Sequence, residues 1–184
     1  MSGSELSNRF DRATDEADGY VRALLDLLAD RDPLAVLEEL LPVLEGVVAT
    51  LPDVVLRRPE RPGKWSIAQV IAHLADSDLV SGYRLRLIIA QPGAAIQGYD
   101  QDRWAAELRY AEAPLRETLD QLGALRRANL RLLRSLDPQQ LDRAGLHSER
   151  GRESVRQLTR LLAGHDLVHR RQIDRIRAAV TGGD

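Results

Sequence analysis

The stretch LTRLLAGHDLVHRRQI, residues 158–173, decides the reading of this chain. Leu158, Leu162, His165, His169 and then Gln172 or Ile173 recur at steps of three and four, the spacing of one helix face. The same stripe reaches back to Val155 and on to Ile176, inside a helix expected over about 153–180 and stopped by the GGD that follows. Two positions of the inward seam are therefore histidines. His165 and His169 stand at i and i+4, one turn apart on one face. Two imidazoles so placed can share a metal ion, as they do on HExxH helices. Here the segment is HDLVH, and the Glu that follows the first His in metalloproteases is missing. Two buried imidazoles without a metal cost desolvation and need other partners. Spacing alone leaves metal binding and plain packing both open.

A third ligand has to come from another helix. The segment GKWSIAQVIAHLADSD, residues 63–78, supplies a candidate in His73. Ser66 is a good cap for a helix over about 66–90, which Pro92 and Gly93 end. His73 shares a heptad position with Val80 and Leu87, so it points inward. Helix bundles build metal sites from residues on facing helices. Three His ligands leave one to three positions open, the catalytic pattern rather than the closed structural one.

The rest of the chain reads as helix almost throughout. Residues 5–30 form a first, peripheral helix with Tyr20, Leu24, Leu27 and Leu28 on one face. Asp32 caps a second, opened by Pro33, with Leu34, Leu37, Leu41, Leu44, Val48 and Leu51 inward. Pro42 is expected to kink or restart it. Three prolines and a glycine make 52–63 a loop. Residues 94–113 are mixed, with one short helix near 102–108. Pro114 opens a helix over 114–135, with Leu115, Leu119, Leu122, Leu125 and Leu132 inward. Residues 138–152 read as a loop with at most one helical turn, and no stretch alternates long enough for a strand. The expected architecture is all-α: a helical extension at 1–32, then a four-helix domain at 33–184.

Composition sets outer limits. The 184 residues suit a single core, with 43% hydrophobic and 29% charged residues. No cysteine occurs, which excludes disulfides, a Cys nucleophile and thiolate metal sites. The net charge of -2 offers no basic field for nucleic acid. No apolar run approaches a membrane span. The polar N-terminal stretch is neither a signal nor a transit peptide, and a cytoplasmic location is expected.

The two motifs together, GKWSIAQVIAHLADSD and then LTRLLAGHDLVHRRQI, resemble the DinB-like superfamily of damage-inducible and YfiT-type bundle proteins. Its relatives include thiol-dependent S-transferases and mycothiol-dependent maleylpyruvate isomerase. The resemblance covers about 33–180. It implies a four-helix bundle of up-down-down-up type and a metal triad at His73, His165 and His169. It also implies one divalent ion, nickel or zinc before iron, and a homodimer. A small-molecule substrate or a low-molecular-weight thiol is the implied partner. Thiol transfer is the activity it favours, with metal-dependent hydrolysis and non-catalytic ligand binding as alternatives.

Other residues carry paired readings. His147, in GLHSERG, is either a solvated loop histidine, the favoured reading, or an acid–base group at the open face of the metal. Asp76, one turn beyond His73, either holds an imidazole N–H or is a solvated charge. Asp166 is expected at the surface. Gln172 lies one turn below His169 and is expected to bond a ligand or a substrate. Tyr99, Asp100 and Trp104, in GYDQDRW, line a pocket at the bundle mouth or simply pack. Trp65 is expected to anchor the bundle end. Arg126, Arg127, Arg131 and Arg134 read as a solvated helix face.

Overall fold

The structure is a computed structural model that describes residues 14–182, with side chains from residue 17 onward. The expected first helix is seen as α1, Thr14–Leu28, and residues 5–13 lie outside the described residues. Four long helices follow: α2 (Pro33–Thr50), α4 (Ile67–Ala90), α6 (Leu115–Arg134) and α8 (Val155–Thr181). Between them lie α3 (Asp53–Leu56), α5 (Gln101–Glu107) and α7 (Pro138–Leu141), and three short strands.

The caps explain the boundaries. Asp32 accepts from the Leu34 amide, and Pro33 fills the first turn, where a missing N–H costs nothing. Ser66 and Gln69 form a reciprocal capping box at the start of α4. Ser154 accepts from the Gln157 amide and starts α8. Helix α2 runs through Pro42 as one element, so it does not restart there. Pro42 and Glu38 are both exposed, so water can meet the carbonyl that the missing N–H leaves open.

Around the bundle, α2 packs on α6, α6 on α4, α4 on α8 and α8 on α2. Two of the three consecutive pairs, α2 with α4 and α6 with α8, therefore stand diagonally, while α4 and α6 are neighbours. The connections at 51–66 and 135–154 cross the diagonal. Leu40, Leu44, Ile67, Ile71, Leu74, Leu119, Leu122 and Ile176 fill one half of the core. Leu37, Leu85, Ile88, Ile96, Val155, Leu158 and Leu162 fill the other. The inward face of α6 is Leu115, Leu119, Leu122, Arg126, Leu130 and Leu133, so Leu125 and Leu132 lie to its side.

Helix α1 packs along α8 and belongs to the same core, with Leu24 and Leu28 sealed from solvent. Gly164 permits this approach. A Cβ there would fall 2.9 Å from the Leu24 carbonyl carbon and closer still to its oxygen.

The expected loop at 138–152 holds a hairpin. Strand β2 (Ala144–His147) pairs antiparallel with β3 (Gly151–Ser154), and β1 (Ala95–Ile96) adds in parallel to β2. These strands are two to four residues long, too short for alternation to register in the sequence. Gly145 lets the layers close: a Cβ there would meet the Ile96 side chain at 2.7 Å. The buried side of the hairpin carries His147 and Glu153, so the sheet brings polar groups to the end of the bundle. Among the described residues, no helix is long and apolar enough to cross a membrane.

Candidate metal centre

The helix phases bring His73 on α4 and His165 and His169 on α8 to one point. His73 Nε2 and His169 Nε2 each lie 3.0 Å from His165 Nε2. Three ligand nitrogens, one from each ring, fit within 4.8 Å of one another. The ring centroids are 4.3–5.1 Å apart, so the imidazoles fan around a centre rather than stack.

Hydrogen-bond accounting shows why this cluster asks for a cation. His169 Nδ1 lies 2.7 Å from Gln172 Oε1, which can only accept. That contact assigns the proton to Nδ1 and turns the Nε2 lone pair inward. His165 Nε2 then has two close nitrogen neighbours and at most one proton to offer. At most one of the two contacts can be a well-aligned hydrogen bond. The Nδ1 atoms of His73 and His165 are buried with no partner. Burial, first, and the neighbouring histidines, second, hold His73 and His165 well below the ordinary histidine pKa of 6.5. Burial brings His169 down to about 4. All three rings are neutral at physiological pH, the state in which imidazole binds metal. Zinc–imidazole bonds of about 2.0–2.1 Å set neighbouring ligand nitrogens roughly 3 Å apart, so the residues fit a divalent ion.

The surroundings sort the remaining candidates. Trp65 packs on the His73 ring at 5.1 Å and edge-on to Tyr110 at 6.4 Å, an anchor that also braces a site residue. Asp76 takes its hydrogen bond from Tyr110 Oη at 2.5 Å and not from an imidazole. Asp100 caps α5, accepting from the Asp102 and Arg103 amides. Tyr99 lines the cavity beside the histidines, and Trp104 stacks behind it at 4.5 Å.

Three expectations are corrected. His147 is a buried residue of β2, because the hairpin missed in the sequence folds it inward. Its Nδ1 accepts from the Glu149 and Arg150 amides, so its proton sits on Nε2, which has no partner. Burial, then Arg150 and Arg84, push its pKa down to about 3, so it does not exchange protons near neutrality. Asp166 and Arg126 are both buried, not solvated. Arg126 reaches Asp166 through Nη1 and Nη2, Asp78 through Nε, and the Leu37 carbonyl through Nη1. Arg127, Arg131 and Arg134 are exposed as expected.

The cavity beside the triad is lined by Tyr20 and Leu24 of α1, Ser77, Ser81 and Arg84 of α4, Tyr99, and Arg150 of the hairpin turn. Tyr20, Arg84, Tyr110 and Arg150 were not singled out in the sequence. Tyr20 lay on the expected apolar face of α1, which was the available signal. The arginines gave none, because the elements they join are distant in sequence.

The DinB superfamily model matches residues 37–173, a span holding all three histidines. The chain belongs to the DinB superfamily. A relative from Oceanobacillus iheyensis is 34% identical over 133 residues, 72% of this chain and 77% of its own. One from Bacillus mycoides is 28% identical over 158 residues, 86% of this chain and 90% of its own. Both carry the description "putative metal-dependent hydrolase". Among solved structures, YfiT from Bacillus subtilis matches with a TM-score of 0.69 and 26% identity, over 91% of this chain and 90% of its own. It is described as "a probable metal-dependent hydrolase with an unusual four-helix bundle topology".

Proposed function

We propose that this DinB-superfamily protein is a metal-dependent hydrolase whose divalent ion is held by Nε2 of His73, His165 and His169. The observation that carries this is the convergence of three neutral imidazoles whose nitrogens cannot satisfy one another. The descriptions of the relatives and of YfiT support hydrolysis over the thiol transfer that the sequence motifs favour. Nickel and zinc both suit three imidazoles with open positions.

When bound, the ion supplies Lewis acidity and a nucleophile near neutral pH. The chain's own residues prepare the place for it. Gln172 fixes the His169 tautomer. Trp65 holds the His73 ring from behind. Leu24, Leu158, Leu161 and Leu162 keep the cavity wall apolar and shield the site from bulk water. His147 carries its proton on Nε2, which has no partner, and does not act as a base. Among the described residues, the carboxylates next along α4 are both engaged, Asp76 by Tyr110 and Asp78 by Arg126.

The test has two stages. Elemental analysis of protein purified without a metal-affinity tag is run beside a His165→Ala, His169→Ala double variant. One equivalent of nickel, zinc or iron, lost in the variant, is expected. The loaded protein is then assayed on chromogenic esters and amides and, separately, on thiol–electrophile pairs. Turnover of the first set that chelator abolishes supports the hydrolase. Turnover confined to the second set sinks it in favour of transfer.

A further inference from the structure

The cavity beside the histidines is walled by two arginines that differ in one respect. Arg150 is neutralised, with Nε and Nη2 on the two carboxylate oxygens of fully buried Glu153 at 2.8 and 3.1 Å. Arg84 is just as secluded, at 6% exposure. Its hydrogen bond among the described residues goes to a neutral group, the Gln97 carbonyl, at 2.5 Å. Its guanidinium lies 5.9 Å from the centroid of the Tyr99 ring. A carbonyl and a ring face orient a guanidinium without cancelling its charge. Buried charges are ordinarily held by a counter-charge, and among the described residues no carboxylate is bonded to Arg84. Burial, first, and then Arg150 lower its pKa, and the opposing pull of Glu153, Tyr99 and Glu149 does not offset them. The donors that it does not spend on Gln97 have the cavity as their outlet, together with the hydroxyl residues Tyr20, Tyr99, Ser77 and Ser81.

We propose that the substrate is a small carboxylic acid, whose carboxylate seats on Arg84 while its scissile group faces His73, His165 and His169. The proposal rests on the metal-hydrolase reading and names its substrate class. Planar guanidinium matches carboxylate through paired N–H donors, which fixes orientation as well as affinity. The tyrosine hydroxyls stay protonated, because burial raises both above their ordinary value, and serve as neutral donors to the same anion. A cavity of about 60 Å³ suits a short acid and not a polymer.

Calorimetry on the nickel-loaded protein tests this without turnover. The probes are the monohydroxamates of malonate, succinate and glutarate, each beside its amide-capped neutral counterpart. The hydroxamate head reports on the metal, and the tail reports on Arg84. One carboxylate probe is expected to bind roughly 10- to 100-fold tighter than its neutral partner. Arg84→Gln should remove that preference and leave the neutral probes unchanged, which also shows that the variant is folded. Arg84→Lys, which keeps the charge and loses the planar fork, should retain part of it. Equal binding of charged and neutral tails to the unsubstituted protein overturns the proposal, as does a preference that survives Arg84→Gln. A phosphonate tail bound in preference to every carboxylate overturns the carboxylate assignment. Failure of all the probes, neutral ones included, overturns the metal reading beneath it.

Discussion

Two buried polar clusters lie side by side in this bundle, and they are built on opposite principles. Around Arg126, every charge is answered: Asp78 and Asp166 take its guanidinium, Asn129 bonds Asp78, and the Leu37 carbonyl takes one more donor. One residue away along α8, His165 begins a cluster in which only His169 Nδ1 is answered, by Gln172. Its three nitrogens crowd together and two Nδ1 atoms have no partner. Both clusters lie largely inside the bundle, and of the three histidines only His165 is partly exposed; satisfaction is what separates them. A closed network stabilises, whereas an open one is built for something that the chain does not itself contain.

The contrast predicts a ranked set of outcomes. Arg126→Leu should have the largest effect, because it strands two buried carboxylates and unties α6 from α2, α4 and α8 together. Breaking such a pair from one side costs about 3–5 kcal/mol, to be read by urea denaturation of the metal-free protein. A loss below about 1 kcal/mol would show that Asp78 and Asp166 escape by protonating. Burial already raises both, with Asp166 near pH 6.

The histidine cluster should respond in reverse. His165→Ala should cost the metal-free protein little and abolish the stabilisation given by metal. For the unsubstituted protein that stabilisation is about 2.7 kcal/mol at a free ion concentration near one hundred times Kd. Melting curves with and without nickel check it, and an equal metal response in both proteins would break the comparison.

Gly164→Ala probes the seam that brings α1 to the site. Its Cβ would collide with Leu24 backbone atoms, and overpacking of this kind costs about 1–3 kcal/mol. Thermal melting and hydrogen exchange across residues 17–28 should both register it.

The effect that is smallest at neutral pH, and emerges only on acidification, concerns His147. His147 is held at about 3 in the folded chain, below the ordinary 6.5 that applies once it unfolds. The unfolded state therefore takes up the proton first. The stability that this difference contributes is complete above pH 6.5 and is lost as pH falls toward 3. His147→Gln should flatten that part of the stability profile, measured on metal-free protein. An unaltered slope would place the acid sensitivity elsewhere, in the three clustered histidines, whose depressed pKa values act with the same sign.

The sequence showed the open cluster better than the closed one, and the reason is physical. His165 and His169 share one helix, so their relation is a matter of spacing. His73 enters through the phase of its own helix. Arg126 also sits in an apolar stripe, at four residues from Leu122 and Leu130, yet a charge there reads as solvated until its partners are known. Those partners, Asp78 and Asp166, are 48 and 40 residues away, and no local pattern joins them. The hairpin was hidden for a related reason. Its strands are only four residues long, and β2 docks on β1 through Gly145 and Ile96, across a connection that includes the whole of α6. Tyr20, though placed correctly on the face of α1, could not be assigned to the cavity before α1 was known to lie along α8.

That placement of α1 has a consequence for how such a protein diversifies. The superfamily match begins at residue 37, yet Tyr20 and Leu24 form part of the chamber wall. The chamber is thus lined partly by the four-helix framework and partly by the helix that precedes it, and the match to YfiT covers 91% of this chain, more than the part from residue 37 onward. Changes confined to α1 would resize the room and alter its hydroxyl content, while the three imidazoles and the guanidinium on α4 keep their places.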